Sequence, residues 1–187
     1  MVNPITEYQE EYASILGGEA LDGVIHGKDK ILLFRLLGDT DPATKLAFQT
    51  THTFTFSGDR ETVKTKDGDV IRDNGTGTEV SIEAIQKRGD KLLGMLTVAA
   101  IESLTVEVWE VTVDEGVQNA EGEYPAVYAR GKLDSWELPA GAEEEATISS
   151  TLTVEGKPKF GFTALSADQE AAVDYAFRDA GAVPGGA

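Results

Sequence analysis

The sequence predicts a β-rich α+β domain with two or three helices, and three observations carry that reading. Apolar and polar residues alternate with period two over residues 45–56, 79–86 and 147–154. A capped, amphipathic pattern of helical period runs from Ser166 to Ala180. The 187 residues, 41% of them hydrophobic, suffice for one sizeable core, and their even composition makes no case for two.

The elements follow in order. Residues 6–16, TEYQEEYASIL, read as a short amphipathic helix: Thr6 and Gln9 stand at capping-box spacing, Ile5, Tyr8, Tyr12 and Ile15 share a stripe, and Gly17-Gly18 stops it. So short a helix is marginal alone, so its stripe must dock, either on its own core or on a neighbouring subunit. Residues 30–37, KILLFRLL, read as a strand covered on both faces, and Gly38-Asp39-Thr40-Asp41-Pro42 as a turn. Leu46, Phe48, His52, Phe54 and Phe56 then share a face against Thr51, Thr53 and Thr55. Val80, Ile82, Ala84 and Gln86 likewise oppose Ser81, Glu83 and Ile85. Between these strands lies Ser57–Thr78, read as a polar loop far longer than a hairpin needs. Such a loop is either disordered or held by something outside its own subunit.

Asp90 is an N-cap for a helix over residues 90–101, with Gly94 the main objection to it. Residues 104–113 are β by composition, but apolar parity changes between Val108 and Trp109, which calls for a bulge or a strand buried on both faces. Residues 124–138 form one long bent strand or two shorter ones, interrupted near Gly131. Ile148, Leu152 and Val154 oppose a row of hydroxyls, Thr147, Ser149, Thr151 and Thr153, suited to a face that is wet or paired with another sheet edge. Residues 159–165 close the β part. The last helix has a Ser166/Gln169 capping box, Asp168 and Glu170 in its first turn, Arg178 in its last and Gly181 as its stop, with Val173, Ala176, Phe177 and Ala180 as its buried stripe. The expected division is an N-terminal arm (1–29), a single β domain (30–181) and a mobile tail (182–187).

The formal charge is −17, and residues 101–155 hold thirteen acids against two bases. That field opposes nucleic-acid binding, because neutralising phosphates needs Lys and Arg, although it does not oppose nucleic acid passing nearby. A surface kept acidic for solubility would also account for it. The absence of cysteine excludes a disulfide scaffold, thiol catalysis and thiolate metal sites, and fits cytosolic synthesis. Acids stand at the N-terminus where a signal peptide needs bases, and no stretch approaches membrane-spanning length. The expected product is soluble, with no membrane partner.

No catalytic constellation emerges. His26 and His52 lack partners at metal or triad spacing, and His52 reads as a satisfied core or interface histidine. Nucleophile-elbow, zinc-protease and phosphate-loop motifs are absent, and Gly75-Thr76-Gly77 lacks the third glycine of a dinucleotide site. A calcium loop opening at Asp67 fails at its fifth and twelfth positions, Ile71 and Thr78; Asp67-Gly68 and Asn74-Gly75 read better as turns. Glu143-Glu144-Glu145 reads as a solvated strand entrance, and no cofactor is called for. What remains is the strip 57–78, where Arg60, Lys64, Lys66 and Arg72 alternate with Asp59, Glu61, Asp67, Asp69 and Asp73. With Gly68 at its turn, it is self-complementary and suited to pairing with a second copy.

The order of motifs resembles the major tail proteins, or tail tube proteins, of long-tailed, non-contractile bacteriophages of Gram-positive hosts. The residues that carry this are Gly27-Lys28-Asp29 with Ile31 and Phe34-Arg35, Gln49-Thr50, Thr65-Lys66-Asp67-Gly68, Gly89-Asp90, and Val108-Trp109-Glu110-Val111. Gly156 with Lys159 and Gly161 follows, then the acidic–alanine helix ending Phe177-Arg178-Asp179. The resemblance implies a β-sandwich or open barrel, hexameric rings stacked into a tube, and a conduit for DNA ejection. It implies a virion component made in the host cytoplasm, with tape measure, distal tail and terminator proteins as partners and DNA in transit without specific binding. It also implies that 57–78 reaches neighbouring subunits or rings. The immunoglobulin-like C-terminal module of some relatives is not expected, since the chain stops after the last helix. Acidic candidates for the channel wall are Glu107, Glu110, Glu143, Glu144 and Glu145. The rivals are a tube subunit of a contractile injection or secretion system, and a monomeric β-sandwich binding module with an aromatic platform. An acid/base enzyme ranks behind both.

Overall fold

A computed structural model describes residues 5–16, 24–167 and 169–170. Their eight strands are β1 (Lys30–Leu36), β2 (Thr44–Lys45), β3 (Gln49–Thr65), β4 (Gly68–Ile85), β5 (Val106–Thr112), β6 (Tyr124–Glu137), β7 (Thr147–Val154) and β8 (Lys159–Thr163). The helices are α1 (Ala13–Leu16) and α2 (Lys91–Ile101), with short 3-10 turns at Thr6–Tyr8, Gly27–Asp29 and Glu115–Val117. All pairings are antiparallel, in the order β2-β1-β5-β6-β7-β4-β3, with β8 on the first half of β6.

This sheet is curled. Its two edges, β2 and β3, are consecutive in the chain, separated only by Leu46, Ala47 and Phe48. A step that short spans about 14 Å at most, so the edges must approach. Gln49 bridges the seam: its Oε1 accepts from Leu32 N at 2.9 Å and its Nε2 donates to Leu32 O at 2.6 Å. A side-chain amide here supplies the hydrogen bonds that a strand neighbour would supply. The expected open barrel is therefore the observed architecture. Leu32, Phe34, Leu46, Val80, Ile82, Val108, Ile148 and Leu152 fill its interior, with Leu92, Leu96 and Ala99 of α2. A second cluster, Ile31, Leu33, Val111, Tyr124 and Ala126, lies on the other face of β1 and β5.

β1 and β5 are thus buried on both faces. That explains the parity change at Val108–Trp109, because β5 pairs with β6 from Val106 to Val111 without a bulge. β6 is one strand, not two. Gly131 lies in a row with Val106 on one side and Val154 on the other, where β6 leaves β5 and takes up β7. A Cβ at Gly131 would overlap the carbonyl of Thr153, so only glycine lets the strands close. Asp90 caps α2 as expected, its Oδ1 accepting from Leu92 N at 2.9 Å, and its Oδ2 also accepts from Ala47 N. α2 runs through Gly94, which is exposed with open space around it, so the helix forms despite the low helix propensity of glycine.

Three expectations need correction. The continuous helix over 6–16 is instead a 3-10 turn and a four-residue α1, and no side chain caps it; a segment this short cannot offset the cost of helix nucleation. Its tyrosines still form one surface, Tyr8 against Tyr12 and Tyr12 against Phe160 of β8 at 5.2 Å, so the arm docks on its own subunit. The polar loop 57–78 is no loop: β3 and β4 continue through it as a two-stranded ribbon closed by Lys66-Asp67. Asn74-Gly75 is a bulge in β4, not a turn, since Asp59 pairs with Gly75 while Arg60 pairs with Asp73. The Ser166/Gln169 capping box forms in both directions, Ser166 N donating to Gln169 Oε1 at 2.7 Å and Gln169 N to Ser166 Oγ at 3.3 Å. The rest of that helix, the Gly17-Gly18 stop and the tail lie outside the described residues.

Candidate assembly surface

The ribbon is built from the register of β3 on β4. Gly68, at φ +124°, follows the turn, and Thr65 Oγ1 donates to Gly68 O at 2.7 Å. Arg60 then faces Asp73, Glu61 faces Arg72, and Lys64 faces Asp69. By register, the alternating charges that suggested pairing with a second copy therefore stand opposite one another on the ribbon's own two strands. Cross-strand pairs of this kind contribute about 0.2–1 kcal/mol each, too little to hold an isolated ribbon. The apolar residues at the same level, Val70 and Ile71, are 55% and 69% exposed. Lys66 and Asp67 form the tip, and among the described ribbon residues only Thr78 is buried.

The root of the ribbon is aromatic. Phe54 stacks on Phe56, Phe56 on Phe160 at 6.2 Å, and Phe160 on Tyr12, so ribbon, β8 and arm meet at one place. Beside them an open cleft of about 650 Å³ is lined by Lys28, Lys30, His52, Phe56 and Glu110. Glu110 is the hub: Lys30 Nζ donates to Oε1 at 2.7 Å, and His52 Nε2 lies 3.0 Å from Oε2. Burial pushes the Glu110 carboxyl up, but the bonds from His52 and Lys30 outweigh it and hold the group below the usual glutamate value. His52 is thus a satisfied histidine, and it ties β3 to β5.

Glu107 is held in the same manner on the opposite face of β5. Arg35 Nε donates to its Oε2 at 2.8 Å and Tyr128 OH to its Oε1 at 2.8 Å. That bond raises the Arg35 guanidinium further, and burial followed by the bond to Glu107 raises the Tyr128 phenol. Arg35 also lies over Trp109, which packs on Tyr128. Glu107 and Glu110 are therefore not free surface charges: both are buried within the subunit and matched by cations. Glu143, Glu144 and Glu145 are exposed, on the connection between β6 and β7.

The sequence reading missed the aromatic root and the seam made by Gln49. The root had a signal, since Phe54 and Phe56 continue a face whose partners stop before the ribbon begins. Among the described residues no group of three metal-ligating side chains converges. The surface that stands out is suited to packing against protein: a projecting ribbon with Val70 and Ile71 exposed, and its aromatic root. These features define an assembly protein.

Comparison with known proteins agrees. A family model described as phage tail tube protein matches residues 24–160, so the chain belongs to that family. It is accordingly a structural subunit of a phage tail tube, a component of the virion tail. A putative tail protein of Staphylococcus phage phiMR25 is 27% identical over 141 residues, 75% of this chain and 73% of the phage protein. The SPP1 tail tube structure from solid-state NMR and cryo-EM matches with a TM-score of 0.68 at 23% identity, over 87% of this chain and 95% of that one. The tail of an empty gene transfer agent particle, refined with C6 symmetry, matches at 0.57 and 16% identity, over 75% and 100%. The two structures speak to the fold.

Proposed function

We propose that the chain assembles into hexameric rings that stack into a non-contractile tail tube and conduct DNA during ejection. The observation that carries this is the ribbon: two strands with both faces in solvent do not persist alone, so further copies must cover them. Ring closure gives lateral contacts an end point, and six-fold symmetry is that of the gene transfer agent tail. The arm (1–29) and the domain (30–181) serve as one assembly unit, with 57–78 as its inter-subunit element, including Arg60, Lys64, Lys66, Asp67, Gly68 and Arg72. Tape measure, distal tail and terminator proteins are the expected neighbours at the tube's ends and interior. The role is structural and not enzymatic, with no cofactor.

DNA passes without specific binding. With Glu107 and Glu110 neutralised by cations, an acidic wall would rest on exposed groups such as Glu143, Glu144 and Glu145. Changing those three to Gln should slow ejection and raise DNA retention; unchanged values would remove the acidic-wall idea. A tube of an extracellular contractile injection system also matches in fold, at a TM-score of 0.50, and a sheath gene beside this one would favour that alternative.

The deciding experiment replaces residues 58–76 by a two-residue turn. The shortened protein should keep a cooperative thermal transition while negative-stain images show no tubes, whereas the full chain forms them. Tubes from the shortened chain, or a full chain that stays a single particle at every concentration, would overturn the reading.

A further inference from the structure

We infer that the outer face of α2 receives the ribbon of another copy, so that Val98 and Ile101 of one subunit pack against Ile71 of the next, on the ribbon face that Ile71 shares with Thr62. This deepens the tube reading and rests on it. α2 buries Leu92, Leu96 and Ala99, yet it carries no charged residue from Leu92 to Ile101. Its outward side is therefore apolar as well, with Val98 51% and Ile101 73% exposed. The patch continues into Leu104 and Leu37, both exposed: Leu104 N donates to Ala99 O, and Leu37 N donates to Thr105 O. A helix apolar all round is either buried or partnered, and this one is buried on one side only.

Geometry selects the occupant. The start of β1 lines the cleft that Phe56 shares at the ribbon's root, whereas its end, Leu36–Leu37, meets the C-terminal end of α2. Seven residues of strand separate the two by roughly 20 Å, so ribbon and patch lie toward opposite ends of the subunit. A contact between two different surfaces is heterologous and repeats from copy to copy, which is what stacking requires. The ribbon's own strands extend about 30 Å past Phe56, long enough to leave one body and reach the next.

Charge agrees. Glu102 follows Ile101 and Asp39 stands two residues past Leu37, while Lys64 and Arg60 share the ribbon face of Ile71 with Asp69 and Asp73. The ribbon carries five acids and four bases, net −1, in a chain of −17. Its near balance lets it approach an acidic neighbour with little like-charge repulsion.

The chain has no cysteine, so a reporter pair can be placed without background. Ile71→Cys and Ile101→Cys copies, mixed, assembled and oxidised, should yield a 71–101 cross-link by mass spectrometry, at least tenfold above the product of either variant alone. Ile101→Glu, at an exposed site, should raise the concentration needed for tubes at least tenfold with its melting temperature unchanged. If wild-type tubes form but the cross-link is absent and Ile101→Glu assembles normally, the inference fails and the tube reading stands. If the wild type forms no tubes under any condition, the tube reading fails and the inference falls with it.

Discussion

β5 and the ribbon share an ingredient, charged residues alternating with β-branched ones, and use it oppositely. In β5, Glu107 and Glu110 are buried and each has two fixed partners from other strands. In the ribbon, Arg60, Glu61 and Lys64 face opposite charges across one hairpin, all in solvent. Buried pairs are strongly felt when one partner is removed, because the remaining charge is left without water. Exposed pairs are screened and worth little. The same chemistry therefore makes a rigid body and a ribbon whose shape depends on what covers it.

The sharpest way to break the body is Gly131→Ala. The added methyl has no place beside the Thr153 carbonyl, so β6 cannot stay between β5 and β7. We expect a loss of more than about 4 kcal/mol, seen as absent or non-cooperative urea unfolding. Gly75→Ala is the control in the ribbon: its φ of +119° resists a side chain, but nothing lies near. It should cost about 1 kcal/mol locally and leave the body's transition in place.

Next comes Glu110→Gln. It leaves Lys30 and His52 without their carboxylate, and about 3 kcal/mol should be lost in urea unfolding, the low end for a broken buried pair because Lys30 can turn toward solvent. The pH profile sharpens this. Because the folded state depresses the Glu110 pKa, its stabilisation is complete above the ordinary glutamate value and is lost as pH falls through that value toward the folded one. Wild type should show that acid limb in its melting temperature, and Glu110→Gln should flatten it. The smallest effect is expected from Lys64→Glu, which places like charges opposite Asp69. The body should lose less than about 0.5 kcal/mol, so a larger loss would show that the ribbon is part of the cooperative unit.

The sequence was legible wherever one face met a core. The faces of β4 and β7, and of β3 from His52 onward, followed from alternation, whereas Phe48, expected on the β3 face, stands exposed before the strand at φ 50°; the Asp90 and Ser166/Gln169 caps followed from spacing of a few residues. The ribbon escaped because alternation reports burial, and with both faces in solvent there is none to report; the turn at Asp67-Gly68 was its one visible sign. The acids of β5 escaped for the opposite reason. Nothing local distinguishes Glu107 from Glu143, and their difference lies in Arg35 and Tyr128.

What the residues determined unaided is therefore the β-rich class, the caps at Asp90 and Ser166/Gln169 and, through ordered motifs spread along the chain, the tail tube family. What only the folded chain decided is which charges are matched, that Gln49 closes the sheet on Leu32, and that 57–78 projects as a ribbon with an apolar α2 face far from it. Periodicity and capping are set within a few residues. Pairing a glutamate with a lysine eighty positions away is set by the curl of the sheet.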